Sequence, residues 1–292
     1  MSSKLELVIV GGGTGAQLAK DLSGKLDASK VSITLVDARP YRVHLIAMAR
    51  IIVTDEGNLE KDALAPYDKL FINGNGQFIQ GRAISVETEK GGKSGDVVFE
   101  GGKRVHFDVL VLAPGSKWSG AIQVPDDAAE ATKVLAQARE SFKTAKKVVI
   151  AGAGAVGLGA PNLLTFQKFH AGSQCLCSSR NCGRNQRHLP SACLLCFTSI
   201  AFISHSISQT TQVTVVHGGQ QVSNATYPDK FRRKLQKSFT DRGIKFVFGD
   251  YIDNFPSQEE LKTTGAVTTR NGQKIDADLV VQSTGPVPAT GM

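Results

Sequence analysis

From Ser141 to Pro228 the chain has no Asp or Glu, and from Met1 to Gln174 it has no cysteine. The second absence excludes a dithiol-disulfide centre in the first half, since that chemistry needs a reactive thiolate pair there. Long apolar runs are missing too: the stretch Cys193 to Ile207 is interrupted by Ser, Thr and His and is too short to span a bilayer. The N-terminal MSSKLELVIV enters an apolar run at once, without the charged region, apolar region and cleavage site of a secretory leader. Ser2 stands where N-myristoylation requires Gly. These absences predict a cytoplasmic protein. At 292 residues, 41% hydrophobic and 21% charged, the composition is that of a soluble globular chain of two domains.

The formal charge is +8, but residues 158–209 hold Lys168, Arg180, Arg184 and Arg187 without any acid, which accounts for half of the surplus. The basic residues are not interleaved with aromatics in the manner of a stacking surface, so no specific nucleic-acid partner is expected. All five cysteines, Cys175, Cys177, Cys182, Cys193 and Cys196, lie in the same stretch beside His188. Their CxC and CxxC spacings match no common zinc-ligand pattern, and no metal is expected.

What the chain does have is two glycine fingerprints, each after an apolar run of strand length. Gly11-Gly12-Gly13-Thr14-Gly15-Ala16 follows Leu5 to Val10, and Gly152-Ala153-Gly154-Ala155-Val156-Gly157 follows Lys147 to Ala151. In this pattern the first glycine permits a tight turn and the second lets the backbone approach a pyrophosphate. The third position must be small where helix packs on strand; Ala16 fills it in the first copy. A second strand from Val31 to Val36 ends at Asp37, where a carboxylate binds a ribose hydroxyl.

The expected fold is α/β, with two dinucleotide-binding units of the Rossmann type and an antiparallel β-meander. Alternating runs from Gln77 to Ala113 predict the meander, and Phe107 to Ala113 returns as a buried strand before Pro114-Gly115. Ala128 to Lys143 reads as a helix. The second unit then loses its pattern, because Gly159-Ala160-Pro161-Asn162 is expected to break the helix after Gly157. Regularity returns with a strand at Gln212 to His217, a helix from Pro228 to Gly243, and strands at Ile244 to Phe248 and Ala277 to Ser283.

Taken together, LVIVGGGTGAQLA, TLVDARPYRVHLIAMAR, FDVLVLAPGSKWSG, KKVVIAGAGAVG, QVTVVHGG and ADLVVQSTGPVPAT resemble the fungal apoptosis-inducing-factor-like flavoproteins. That group is related to type II NADH dehydrogenases and the ferroptosis-suppressor quinone reductase. The resemblance implies an FAD-binding domain at residues 1–116 and an NAD(P)-binding domain at 117–292 containing an irregular insertion at 158–211. It implies FAD contacts at Gly11, Gly12, Gly13, Thr14, Gly15, Ala16, Asp37, Ala38 and Arg39, along the flavin at Arg50, and at the crossing Ala113-Pro114-Gly115. For NADH or NADPH it implies Gly152, Gly154, Gly157 and His217. His217 stands where NADH-selective folds prefer an acid, so a 2′-phosphate is not repelled there.

The implied activity is hydride transfer from NAD(P)H to FAD, then electron transfer to a quinone-like small acceptor, with peripheral membrane contact conceivable for the intact family member. Relatives continue past the position of Met292 to complete the FAD domain, which implies a truncated chain of impaired activity. Two alternatives stay open. One is a non-catalytic nucleotide-binding fragment or aberrant gene-model product, in which the acid-free segment is translated non-coding sequence. The other is a basic nucleic-acid-binding cell-death effector.

Overall fold

The computed structural model describes residues 4–89, 91–159 and 211–290. They form two compact units, Met1–Gln137 with Gly285–Met292, and Ala138–Thr284.

The first unit is built on β1 (Leu5–Val10), α1 (Thr14–Ser23) and β2 (Val31–Asp37). A short hairpin, β3 (Tyr41–Val43) with β4 (Leu64–Pro66), encloses helix Leu45–Ile51. The strand β5 (Gln77–Gln80) is followed by β6 (Ala83–Thr88), β7 (Gly95–Phe99) and β8 (Arg104–Phe107), and by β9 (Val109–Leu112). The parallel sheet has the order β5-β2-β1-β9, while β6-β7-β8 form a separate antiparallel sheet.

The central strand β1 shows why three layers form. Its side chains alternate between faces. Leu7 and Ile9 pack with Ala16 and Ala19 of α1 and with Ile33, Leu35 and Tyr67, whereas Val8 and Val10 pack with Val36, Val97, Phe99 and Phe107 beneath the meander. A strand covered on both faces must be apolar throughout, and LELVIV becomes so as it enters the core. After β9, the strand β10 (Ser116–Lys117) pairs antiparallel with Val287–Pro288.

The second unit repeats this plan. Its sheet is formed by β11 (Lys147–Ala151), β12 (Gln212–His217), β13 (Lys245–Phe248) and, after the hairpin β14 (Ala266–Thr268) with β15 (Lys274–Asp276), β16 (Leu279–Gln282). The order β13-β12-β11-β16 is all parallel. Val149, Ala151 and Val216 pack with Ile252, Leu261, Val267 and Ala277 under the hairpin. Helix Asp229–Thr240 connects β12 to β13.

One expectation is corrected. Gln77–Gln80 is not part of the meander: it is the outer strand of the first parallel sheet, with Val36 opposite Ile79. Its burial runs exposed, half-buried, half-buried, exposed, so four residues carry too little alternation to reveal which sheet they join. Ala128–Thr144 is helical as expected. Residues 155–159 are helical after the second glycine turn; Pro161, the five cysteines, His188 and the rest of the expected irregular insertion lie outside the described residues, apart from positions 158, 159 and 211.

Candidate functional site

In the first glycine turn the three leading glycines serve different ends. Gly11 has φ +104°, and a Cβ there would overlap the carbonyl oxygen of Ala113 at the end of β9. Its N–H donates to Val36 O at 2.8 Å and the Ala113 N–H donates to Val10 O at 2.8 Å. This glycine is demanded by the meeting of three strands. A Cβ on Gly12 would overlap the Tyr67 hydroxyl and lie 2.6 Å from Asp37 Oδ2. At Gly13 a Cβ would meet no protein atom within 4 Å. Gly13 is also the N-cap of α1, with no side-chain cap, so the first-turn amides of Thr14, Gly15 and Ala16 are not covered by a capping side chain. Ala16 itself is fully buried, as the helix-on-strand position requires.

The second turn repeats the division. Gly152 has φ +110° and a Cβ there would overlap Ser283 O, while its N–H donates to Val216 O at 2.8 Å. Gly157 is closed in by Gly152 O and by Ser283 Cβ at 3.2 Å. Around Gly154 there is again no protein atom within 4 Å of a Cβ.

At the end of β2, Asp37 accepts the Gly12 N–H on Oδ2 and the Arg39 N–H on Oδ1 at 2.8 Å. Burial raises its carboxyl above the ordinary range, opposed by those two amide donors. The Ala38 carbonyl accepts from Gln80 Nε2 at 3.2 Å. The Arg39 guanidinium is turned to the chain itself, donating to Val124 O at 3.1 Å and Pro125 O at 3.3 Å and facing Asp126. Arg50, in helix Leu45–Ile51, has a buried Nε without a hydrogen-bond partner. Beyond Pro114, Gly115 has φ +70° and its carbonyl accepts from Ala289 N–H at 3.0 Å.

In the second unit His217 ends β12 where Asp37 ends β2. Its Nδ1 accepts the Ala153 N–H at 3.3 Å, and the Ala153 carbonyl accepts from Ser223 N–H at 2.8 Å. Burial, and then the charge of Arg232, hold the imidazole below its ordinary pKa, against the pull of the Gln221 and Ser223 backbone. The ring is therefore a neutral acceptor occupying the place of a carboxylate.

Tyr67 was not among the expected site residues. Its ring is 4% exposed and lies 4.7 Å from that of Phe78, yet its hydroxyl emerges at Gly12 and Asp37. Nothing in its spacing from the glycines marks it, because the loop through β3 and β4 brings it back. Buried Gln221 Oε1 likewise lacks a partner. Among the described residues no cluster of His, Cys, Asp or Glu could hold a metal ion, and no helix is long and apolar enough to cross a membrane.

Each unit thus presents a strand, a glycine turn and a helix start with one glycine facing no protein atom. A cradle left open by the fold at each helix start fits a bound dinucleotide. Comparison with known proteins agrees: residues 5–292 match the model of the pyridine nucleotide-disulphide oxidoreductase family, and the chain belongs to that family. It is 35% identical over 244 residues to the FAD-dependent oxidoreductase FVFD30 of Flammulina velutipes, covering 83% of this chain and 61% of that protein. To the apoptosis-inducing factor homolog B of Dictyostelium discoideum it is 25% identical over 299 residues, covering 97% and 64%. The chain therefore spans less than two thirds of either relative's length. In fold it is similar to NDH2 of Plasmodium falciparum in complex with NADH, at TM-score 0.58 and 14% identity over 99% of this chain and 56% of the other. The α/β class with parallel dinucleotide-type sheets is the one expected.

Proposed function

We propose that the chain binds FAD in residues 1–116 and NADH or NADPH in residues 117–292, and serves an NAD(P)H oxidoreductase whose acceptor is a quinone-like small molecule. The observation that carries this reading is the pair Gly13 and Gly154. A glycine in a helix-starting turn costs backbone entropy, and at these two positions no protein atom lies within 4 Å of where a side chain would begin. The reason for a glycine is supplied by a diphosphate lying against the backbone.

When bound, FAD would supply two-electron redox chemistry between NAD(P)H and the acceptor. The chain's own part is to hold the nucleotides. The amides at the start of α1 and of the helix at 155–159 face the phosphates, and Asp37 accepts from ribose hydroxyls. The 35% identity to an FAD-dependent oxidoreductase supports the flavin, and His217 leaves both nicotinamide cofactors admissible.

Purified chain is expected to take up added FAD, seen by its visible absorbance, and to bind NADH or NADPH in a fluorescence titration, with little turnover of a soluble quinone. A colourless chain that takes up no added FAD would support the nucleotide-binding-fragment alternative or a different function.

A further inference from the structure

Tyr67 is placed with more care than a core aromatic requires. Its ring belongs to the cluster of Leu7, Ile9, Ile33 and Leu35, and its backbone is tied down through its N–H to Pro40 O at 3.3 Å and through its carbonyl to Leu70 N–H at 3.1 Å. The ring is nine-tenths buried, but the hydroxyl is carried out of the apolar cluster to the point where a side chain on Gly12 would otherwise begin. No hydrogen-bond partner meets it among the described residues. Asp37 lies at the same point, but its two oxygens take the Gly12 and Arg39 amide hydrogens and no hydrogen bond joins it to the phenol. Burial and the Asp37 charge push the phenol's pKa further up, so it remains an O–H donor. A donor held rigidly at the lip of a cradle, with nothing in the protein to donate to, lacks only an acceptor oxygen.

We infer that Tyr67 is a further cofactor-binding residue of the first site, donating its phenolic hydrogen to an oxygen of the ribosyl diphosphate of FAD. This rests on the reading of the first unit as an FAD site. The location selects that part of the cofactor: Gly12 lies between the open glycine at the helix start, where a diphosphate belongs, and the carboxylate that receives a ribose. The same geometry explains Gly12, whose missing side chain makes room for the phenol oxygen.

The test uses the full chain and Tyr67→Phe, which keeps the ring against Phe78 and removes only the oxygen. FAD affinity is read by quenching of flavin fluorescence, and ADP, which carries the ribosyl diphosphate without flavin, is titrated as a competitor. Both affinities should fall by about tenfold, as for loss of one hydrogen bond to a charged group, while the melting temperature of the FAD-free chain stays put. Unchanged FAD and ADP affinity overturns the inference, as does a loss for FAD without one for ADP. A lower melting temperature of the FAD-free variant would assign the hydroxyl to the fold and equally overturn it. Wild-type chain that binds neither FAD nor ADP would instead bring down the underlying reading of the first unit.

Discussion

The two units build the same parallel sheet twice, and within that shared frame the end of the second strand differs. In each, the glycine after the first strand donates its N–H to the second strand at 2.8 Å. In each, an aspartate just before the last strand grips the start of the first: Asp108 accepts from Glu6 N–H at 2.8 Å, and Asp278 accepts from Lys147 N–H at 2.9 Å. The strand orders β5-β2-β1-β9 and β13-β12-β11-β16 correspond element by element. The end of the second strand departs from this symmetry. Asp37 reaches back to the middle of its glycine turn as a carboxylate, and His217 does so as a neutral imidazole. The lesson is that glycines required by the chain can be separated from glycines that meet no protein atom, and that the two strand ends offer different acceptors, a carboxylate and an imidazole.

The largest effect should come from the glycines on which the units agree for structural reasons. Gly11→Val or Gly152→Val forces a side chain into a backbone carbonyl at a φ that L-residues avoid, and each is expected to cost roughly 3 kcal/mol or more. Urea unfolding of the cofactor-free chain measures this; a wild-type midpoint would show that the turns are looser than described.

Next in size is a separation between the sites. Gly154→Val should weaken NADH and NADPH binding by about a hundredfold or more, several kcal/mol, while leaving the FAD content unchanged. Fluorescence titration with either nicotinamide cofactor and the flavin absorbance of the same preparation report the two quantities. Loss of both together would mean that the second glycine turn serves the fold as a whole.

A smaller effect is expected at the strand ends. His217→Asp restores the carboxylate that the first unit has, accepting from a ribose hydroxyl and repelling a 2′-phosphate. The ratio of NADH to NADPH affinity should rise by about tenfold, and an unchanged ratio would remove the strand end from cofactor choice.

The smallest effects are in pH dependence, and they run in opposite directions from their ordinary values. Burial raises Asp37, so on acidification it loses its charge earlier than an ordinary carboxylate, and FAD retention should fall with a midpoint above the usual aspartate value. The raised pKa also means that the Asp37 contribution to stability is present below the unfolded pKa and lost as pH rises through the folded one. His217 is lowered, so its neutral form persists to more acidic pH. Its contribution is present above the unfolded pKa and lost as pH falls through the folded value. NAD(P)H binding should accordingly stay level through neutral pH. Nucleotide titrations between mild acid and neutrality test both statements.

How much of this was legible in the sequence follows from how local each feature is. β1, β11 and β12 begin and end where their apolar runs do, because a strand buried on both faces declares itself without reference to its neighbours. The sheet to which β5 belongs is not legible in its own residues, because it is decided by β2, far from it in the chain. The helix Gln258–Thr264 carries a local signature, since Ser257 and Glu260 form a reciprocal capping box and Gly265 closes it at φ +62°. In the site, the glycine turns and the two strand ends could be read by spacing. The division of labour within each turn could not, because it depends on Ala113 and Ser283, which arrive from the distant last strand of each sheet. Tyr67 was hidden for the same reason.

The most direct test of the account is Gly13→Val, measured for bound FAD and for the melting temperature of the cofactor-free chain in one preparation. A side chain there meets no protein atom within 4 Å, so the account predicts loss of bound flavin with the cofactor-free melting temperature close to wild type. Full retention of FAD, or a collapse in melting temperature comparable to that of Gly11→Val, would contradict it.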